Sequence, residues 1–440
     1  MSASAGRRRR STVIGAVAAA VVTAVAIALV AVGAVALYTS TDGADAADDR
    51  PIDTFSSTPN GLLAVVDDAG RLASAAVITL LPQGAGGSIV VLPVSADASS
   101  GFGERRPLAE TVALQGTEAL EAEVEAMLRL DVDRTDVVDA AQLAELLAAI
   151  GAVEVDLPVD ITDGSGGVVA EAGATSLEPA DAAAVLSARD PDVRAVAQYP
   201  AAAAVWSGVA DAVGDGLGDV APSSAAPSSS ADLFGRAVSG PLRSRGLRFT
   251  EFPSAENPRG VDVVRLDDAE VSVVFGQISP AQVAAPNPSL AFRVLSQYDD
   301  GQLEGRDATR VDVAYSAVQR LLFTRTNVIS VETGEATAPA VTTVYVSDES
   351  LRSSVEIGAS DLFGDVEVRV AERRIVGIEA VVELGESYLD DLDRVATAPD
   401  GTVGTVPAST GPATTSASTT ESTTTTSDTT DSIDTTEDEG

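Results

Sequence analysis

The sequence predicts an α/β fold: two layered units in which β-rich runs alternate with amphipathic helices, preceded by one transmembrane helix. Three observations carry this. Short β-branched runs bounded by Gly, Pro and Asp alternate with helical periodicity over residues 60–210. The alternation resumes from about Leu290 to Asp391, after a break at Pro286, Asn287 and Pro288. Between Ser11 and Thr41 there is no charged residue at all.

That apolar run comes first in the chain. A membrane-crossing helix needs about 20 apolar residues, whereas a secretory h-region has only about 7–15. Residues 11–41 therefore read as a transmembrane anchor. Arg7 to Arg10 precede it, and Asp42, Asp45, Asp48 and Asp49 follow, so the positive-inside rule puts residues 1–10 in the cytoplasm and the bulk of the chain outside. The expected localisation is the cell membrane, single-pass. The alternative is a signal peptide cleaved near Ala44 to Ala47, which exports the same residues.

Residues 42–59 read as a linker. Gly61 to Val66, Ala75 to Leu81 and Ser88 to Pro93 are expected as adjacent strands. Thr117 to Leu130 places Leu120, Val124, Met127 and Leu128 on one helix face, and Ala140 to Ile150 continues as a helix stopped by Gly151. A strand over Ala152 to Leu157 ends at Pro158. Helices follow over Ala180 to Arg189 and Val193 to Val213, with a break at Pro191 and a kink at Pro200.

Residues 214–231, rich in Gly, Ser, Ala and Pro, read as a flexible loop. Val261 to Leu266 and Val271 to Phe275 read as strands closing a first domain over 60–285. In a second domain, 289–391, strands are expected at Leu290 to Leu295, Thr342 to Val346, Val366 to Val370 and Ala380 to Leu384. Helices near Ala308 to Leu322 and Ser350 to Leu362 pack between them. The tail, 397–440, is Thr, Ser, Asp and Glu with few apolar residues, too few to offset ordering entropy, and is expected to be disordered.

Composition narrows the chemistry. There is no cysteine and no histidine, which removes disulfides, thiolate metal sites and both Ser-His-Asp and Cys-His catalysis. Carboxylate and arginine chemistry remains, suited to Mg²⁺ and to phosphate groups. All 28 basic residues are arginine, against 66 acidic ones. A field of that sign disfavours nucleic acid as a partner, and the plainest use of the charge is solubility.

The stretch from Pro107 to Asp160, above all "LAELLAAIGAVEVDLPVDITD", resembles the LytR-CpsA-Psr family of membrane-anchored cell-envelope proteins. "ALQGTEALEAEVEAMLRLDVDRTDVVDAAQL" is similar to the segment leading into that element, and "LEPADAAAVLSARDPDVRAVAQ" to the family's arginine-bearing region. "LAFRVLSQYDD", "TTVYVSDES" and "VVELGESYLDDL" resemble the small C-terminal domain often attached to these proteins. The resemblance implies a layered α/β/α domain plus a small C-terminal α/β domain. It also implies transfer of a phosphate-linked glycopolymer from a polyprenyl pyrophosphate carrier to the cell wall. Arginines would hold the pyrophosphate, and acidic residues would hold Mg²⁺.

Position by position, much of the family's site is missing. Its Arg-Ser-Asp-Thr-like run corresponds to Ala73, Ser74, Ala75 and Ala76, and its Ile-Pro-Arg-Asp to Leu92, Pro93, Val94 and Ser95. Three anion-binding matches survive, Arg189, Arg194 and Gln198, with Asp67 or Asp68 as the remaining candidate for metal. Arg189 and Arg194 could equally be solvated helix-end residues paired with Asp190 and Asp192. Arg105 and Arg106 could replace a lost phosphate contact or simply be a solvated loop pair.

The expectation is therefore a catalytically degenerate, membrane-anchored envelope protein that binds a polyprenyl lipid carrier, a wall glycopolymer or another envelope protein. The alternatives are an active Mg-dependent phosphotransferase and a scaffold for active family members.

Overall fold

A computed structural model describes residues 50–99, 104–218 and 223–397. The anchor expected at 11–41 lies outside these, as does all but the first residue of the tail expected at 397–440. Among the described residues no helix is long and apolar enough to cross a membrane. The fold is mixed α/β.

The first sheet has five strands in the order β10-β4-β3-β2-β5. These are β2 (Asn60–Val66), β3 (Leu72–Leu80), β4 (Gly87–Leu92), β5 (Thr135–Val138) and β10 (Leu242–Gly246). β2, β3 and β4 form an antiparallel meander, while β5 runs parallel to β2 and β10 parallel to β4. Strand side chains alternate between faces, and here both faces are apolar. Leu63, Val65, Ala76 and Ile78 face one core, and Leu62, Ala64, Ala75 and Val77 face the other. A sheet buried on both sides needs helices on both sides.

The first face carries α3 (Ala140–Leu147), α4 (Pro179–Ser187), α5 (Ala195–Val213) and α6 (Ser230–Ala237). Trp206 of α5 is fully buried there, edge-on to Phe234 of α6. α5 also lies close on β6 (Val153–Leu157), where a Cβ on Gly208 would come within 2.6 Å of the Glu154 carbonyl oxygen. The second face carries α2 (Thr117–Leu128), through Leu120, Val124 and Leu128.

The helix α7 (Asp268–Ile278) occupies the stretch where Val271 to Phe275 read as a strand. The reason is visible in its packing. Val271, Val274 and Phe275 join the core of the first sheet, while Ala269 and Val273 join that of the second. A helix apolar on opposite faces shows a continuous apolar run, which imitates a buried strand. Asp267 starts it by accepting hydrogen bonds from the amides of Ala269 and Glu270.

The second sheet has the order β14-β13-β18-β15-β16: β13 (Ala291–Gln297), β14 (Asn327–Gly334), β15 (Thr342–Val346), β16 (Val366–Val370) and β18 (Ala380–Glu383). Only the β15–β18 pair is antiparallel. α9 (Arg310–Phe323) and α10 (Glu349–Phe363) pack on it, as the sequence anticipates. β1 (Ile52–Asp53), inside the expected linker, pairs in parallel with β17 (Arg374–Ile375). The segment before the first sheet is thus attached to the second.

Glu270 of α7 is buried yet faces two guanidinium groups, Arg245 at 3.3 Å and Arg248 at 2.5 Å. Burial dominates, and its carboxyl is held above the ordinary glutamate range. A raised carboxyl binds its proton more readily in the folded state. Its contribution is therefore fully present below about 4.3, the unfolded value, and is lost as the pH rises through the raised folded value. Glu270→Gln should remove that loss. In urea unfolding followed from acid towards neutral pH, the variant is expected to gain on the parent, and a difference that stays flat would contradict the assignment.

Candidate functional site

Arg189, Gln198 and the two aspartates gather at one end of the first sheet, where α4 and α5 lie against β3 and β4. Arg189 directly follows the α4 C-cap, Ala188. Its Nη1 donates to the Leu72 carbonyl oxygen at 3.0 Å. Among the described residues no carboxylate lies within ion-pair distance of it, whereas most arginines of this acidic chain have one, for example Arg71, Arg106, Arg134 and Arg320. Burial, and then the like charge of Arg71, lower its pKa from the ordinary guanidinium value. Of the neighbouring carboxylates, Asp190 is used elsewhere, accepting from Thr162 Oγ1 and from the amide of Asp192.

Two spaces meet at Arg189. The inner one is a cavity of about 20 Å³ between the sheet and the helices, bordered by Ser74, Leu92, Leu186, Gln198 and Tyr199. It is polar on one side, since Ser74 Oγ and Gln198 Nε2 are buried without hydrogen-bond partners. That volume suits a single water molecule, and in this arrangement it is too small for a prenyl chain. Tyr199 closes the inner end: its hydroxyl accepts from the Leu247 amide at 2.6 Å and lies 3.1 Å from the Val91 carbonyl oxygen. Gly246 makes room for this, because a Cβ there would sit 2.5 Å from Tyr199 Oη.

The outer space is an open groove of about 510 Å³, bordered by Asp67, Asp68, Arg71, Asp163 and Arg189. Asp67 belongs to the turn between β2 and β3. Its Oδ1 accepts from the amides of Ala69 and Arg71, and its Oδ2 lies 2.7 Å from Arg71 Nη2. Asp163 caps its own turn, accepting from Ser165 Oγ and the amides of Ser165 and Gly167, and these bonds lower its pKa. Asp68 is exposed. The donor set does not fit a magnesium ion, because both oxygens of Asp67 are already engaged. Among the described residues no group of three or more acidic side chains is placed to share one.

Arg194 lies apart, at the N-cap of α5. It bonds Asp262 at 3.1 Å and Glu251 at 3.0 Å and borders neither space. Arg105 pairs with Asp97 and stacks on Phe252, while Arg106 pairs with Glu123. Neither faces the groove. The sequence reading missed Ser74 as a polar wall and Arg71 as a second groove cation. The pairing of Arg71 with Asp67 four residues earlier was the available signal for the latter.

No protein-family model matches the chain, and no curated protein matches it. Among solved structures, those to which it is similar include a protein described as a LytR-Csp2A-Psr enzyme from Actinomyces oris, at 22% identity. That match covers 50% of this chain and 92% of that one, with a TM-score of 0.34. Two others are from B. subtilis. TagT shares 18% identity over 49% of this chain and 86% of its own, with a TM-score of 0.36. TagV shares 15% over 49% and 94%, with a TM-score of 0.35.

The orphaned amide makes a prediction. Gln198→Met removes a buried group with no partner, and it should leave stability unchanged or raise it by about 1 kcal/mol in chemical denaturation. A clear loss would mean that Gln198 Nε2 is bonded in solution.

Proposed function

We propose that this chain is a membrane-anchored, extracytoplasmic envelope protein of LytR-CpsA-Psr type that binds a phosphate-bearing wall glycopolymer in the Arg189 groove and does not transfer it. One observation carries the reading: Arg189 is a half-buried cation with no carboxylate at ion-pair distance among the described residues, facing an open groove. An anion arriving there gains a charge-assisted hydrogen bond in a site partly withdrawn from water. Asp68 and Asp163 on the same groove are acceptors for sugar hydroxyls. The metal-dependent transferase reading is weakened by Asp67, whose oxygens are committed to its own turn and to Arg71.

The test is calorimetric titration of the purified exported region with inorganic pyrophosphate and with a soluble phosphate-linked glycopolymer. Arg189→Ala should weaken binding at least about tenfold, the scale of one charge-assisted bond. Arg194→Ala, whose side chain points elsewhere, should not. Equal binding by the parent and Arg189→Ala would end the proposal. Release of pyrophosphate from a polyprenyl pyrophosphate substrate by the unmutated protein with Mg²⁺ would replace it with the enzyme reading.

A further inference from the structure

The strand pairings give the second sheet a defined end. β13, β14 and β18 begin there, and β15 and β16 finish there. The segment preceding the first sheet is fastened to that end. Arg50 donates from Nη1 to the Ala371 carbonyl oxygen at 2.7 Å and from Nη2 to that of Ser347 at 2.6 Å, just beyond β16 and β15. Asp53 then holds Arg373 through both carboxylate oxygens, and Val376 donates its amide to the Asp53 carbonyl oxygen.

The same end carries exposed apolar side chains that no core explains. Phe323, at the close of α9 just before β14, is 90% exposed. Ile52 and Val376, on the strap and on the loop it pairs with, are 60% and 58% exposed. Arginines 50, 325, 373 and 374 lie beside them in sequence or in pairing. Apolar and aromatic side chains interleaved with arginine are the composition of surfaces that rest at the level of lipid headgroups.

Chain length identifies the occupant. Between Thr41, the last residue of the uncharged run, and Arg50 the chain can span at most about 30 Å. A folded unit of this size is roughly 50 Å across. The anchor cannot reach round it, so the side on which Arg50 sits cannot be turned away from the bilayer, and the exposed apolar end next to it is the part within reach. Resting on the anchor proposed above, we infer that this end of the second sheet docks on the membrane surface. Phe323, Ile52 and Val376 lie among the headgroups, and the groove, which sits past the far end of β2 from the strap, is directed away from them.

The absence of cysteine makes the test direct. Single substitutions Val376→Cys, Phe323→Cys and, in the first unit, the equally exposed Val168→Cys are labelled with bimane. The full chain is then reconstituted in vesicles of phosphatidylcholine and phosphatidylglycerol carrying a headgroup nitroxide. The labels at 376 and 323 should lose fluorescence to the nitroxide, and the label at 168 should not. Flotation with the vesicles but equal quenching at all three sites, or none, overturns the docking while leaving the anchor intact. Failure to float with the vesicles overturns the anchor reading itself.

Discussion

Glu270 is the point on which the two sheets depend. It lies on α7, the helix both cores share, and it grips Arg245 at the end of β10 and Arg248 just after it. On the same helix, Asp267 receives a 2.5 Å hydrogen bond from Tyr315 of α9, across in the second unit. Arg248 stacks over that ring. A buried carboxylate held between two partly exposed arginines adds little stability over an apolar replacement, but removing both arginines would leave its charge uncompensated. What such a group supplies is a single rotation and register for α7. A helix apolar on opposite faces would otherwise have several orientations of similar energy, so the polar contact fixes what burial alone leaves open.

The groove follows from that arrangement. β10 is the edge strand beside β4, and its last residue, Gly246, is where Tyr199 meets the backbone. Tyr199 fixes α5 one residue from Gln198, and α5 with α4 sets the depth of the cavity beside Arg189. The site is therefore built on rigid elements, and its one unusual charge is the cation. In a chain with more than twice as many carboxylates as arginines, Arg189 has no carboxylate at ion-pair distance among the described residues because three nearby acids are engaged elsewhere: Asp67 with Arg71, Asp190 with Thr162 and Asp163 with its own turn.

Much of the layering was legible in the sequence because period and burial agreed. The runs at 342–346 and 366–370 coincide with β15 and β16, and Leu120, Val124 and Leu128 form the buried face of α2. Reading failed where an element's environment, and not its own pattern, decided its structure. Val271 to Phe275 looked extended because two cores claim the helix. β10, with the sequence LRSRG, has almost no apolar signal because it pairs at an edge and its arginines serve Glu270 and solvent. In the site, Asp190 and Asp192 beside Arg189 suggested a solvated pair, and only the tertiary bond from Thr162 removes Asp190 from it. Arg194 fits the arginine-bearing pattern in sequence, yet its partners Glu251 and Asp262 come from a segment with no sequence signal linking it to α5.

The strap has a consequence for biogenesis. Asp53 and Arg373 are 320 positions apart, so β1 leaves the ribosome long before its partner is synthesised. Through most of synthesis that edge is open, and closing it brings together residues from the two ends of the described region. Contacts of such long range are slow to form and leave the nascent polypeptide vulnerable while it waits. Closure of this two-residue parallel pair, and not the assembly of either sheet, is then the last long-range contact the fold has to make.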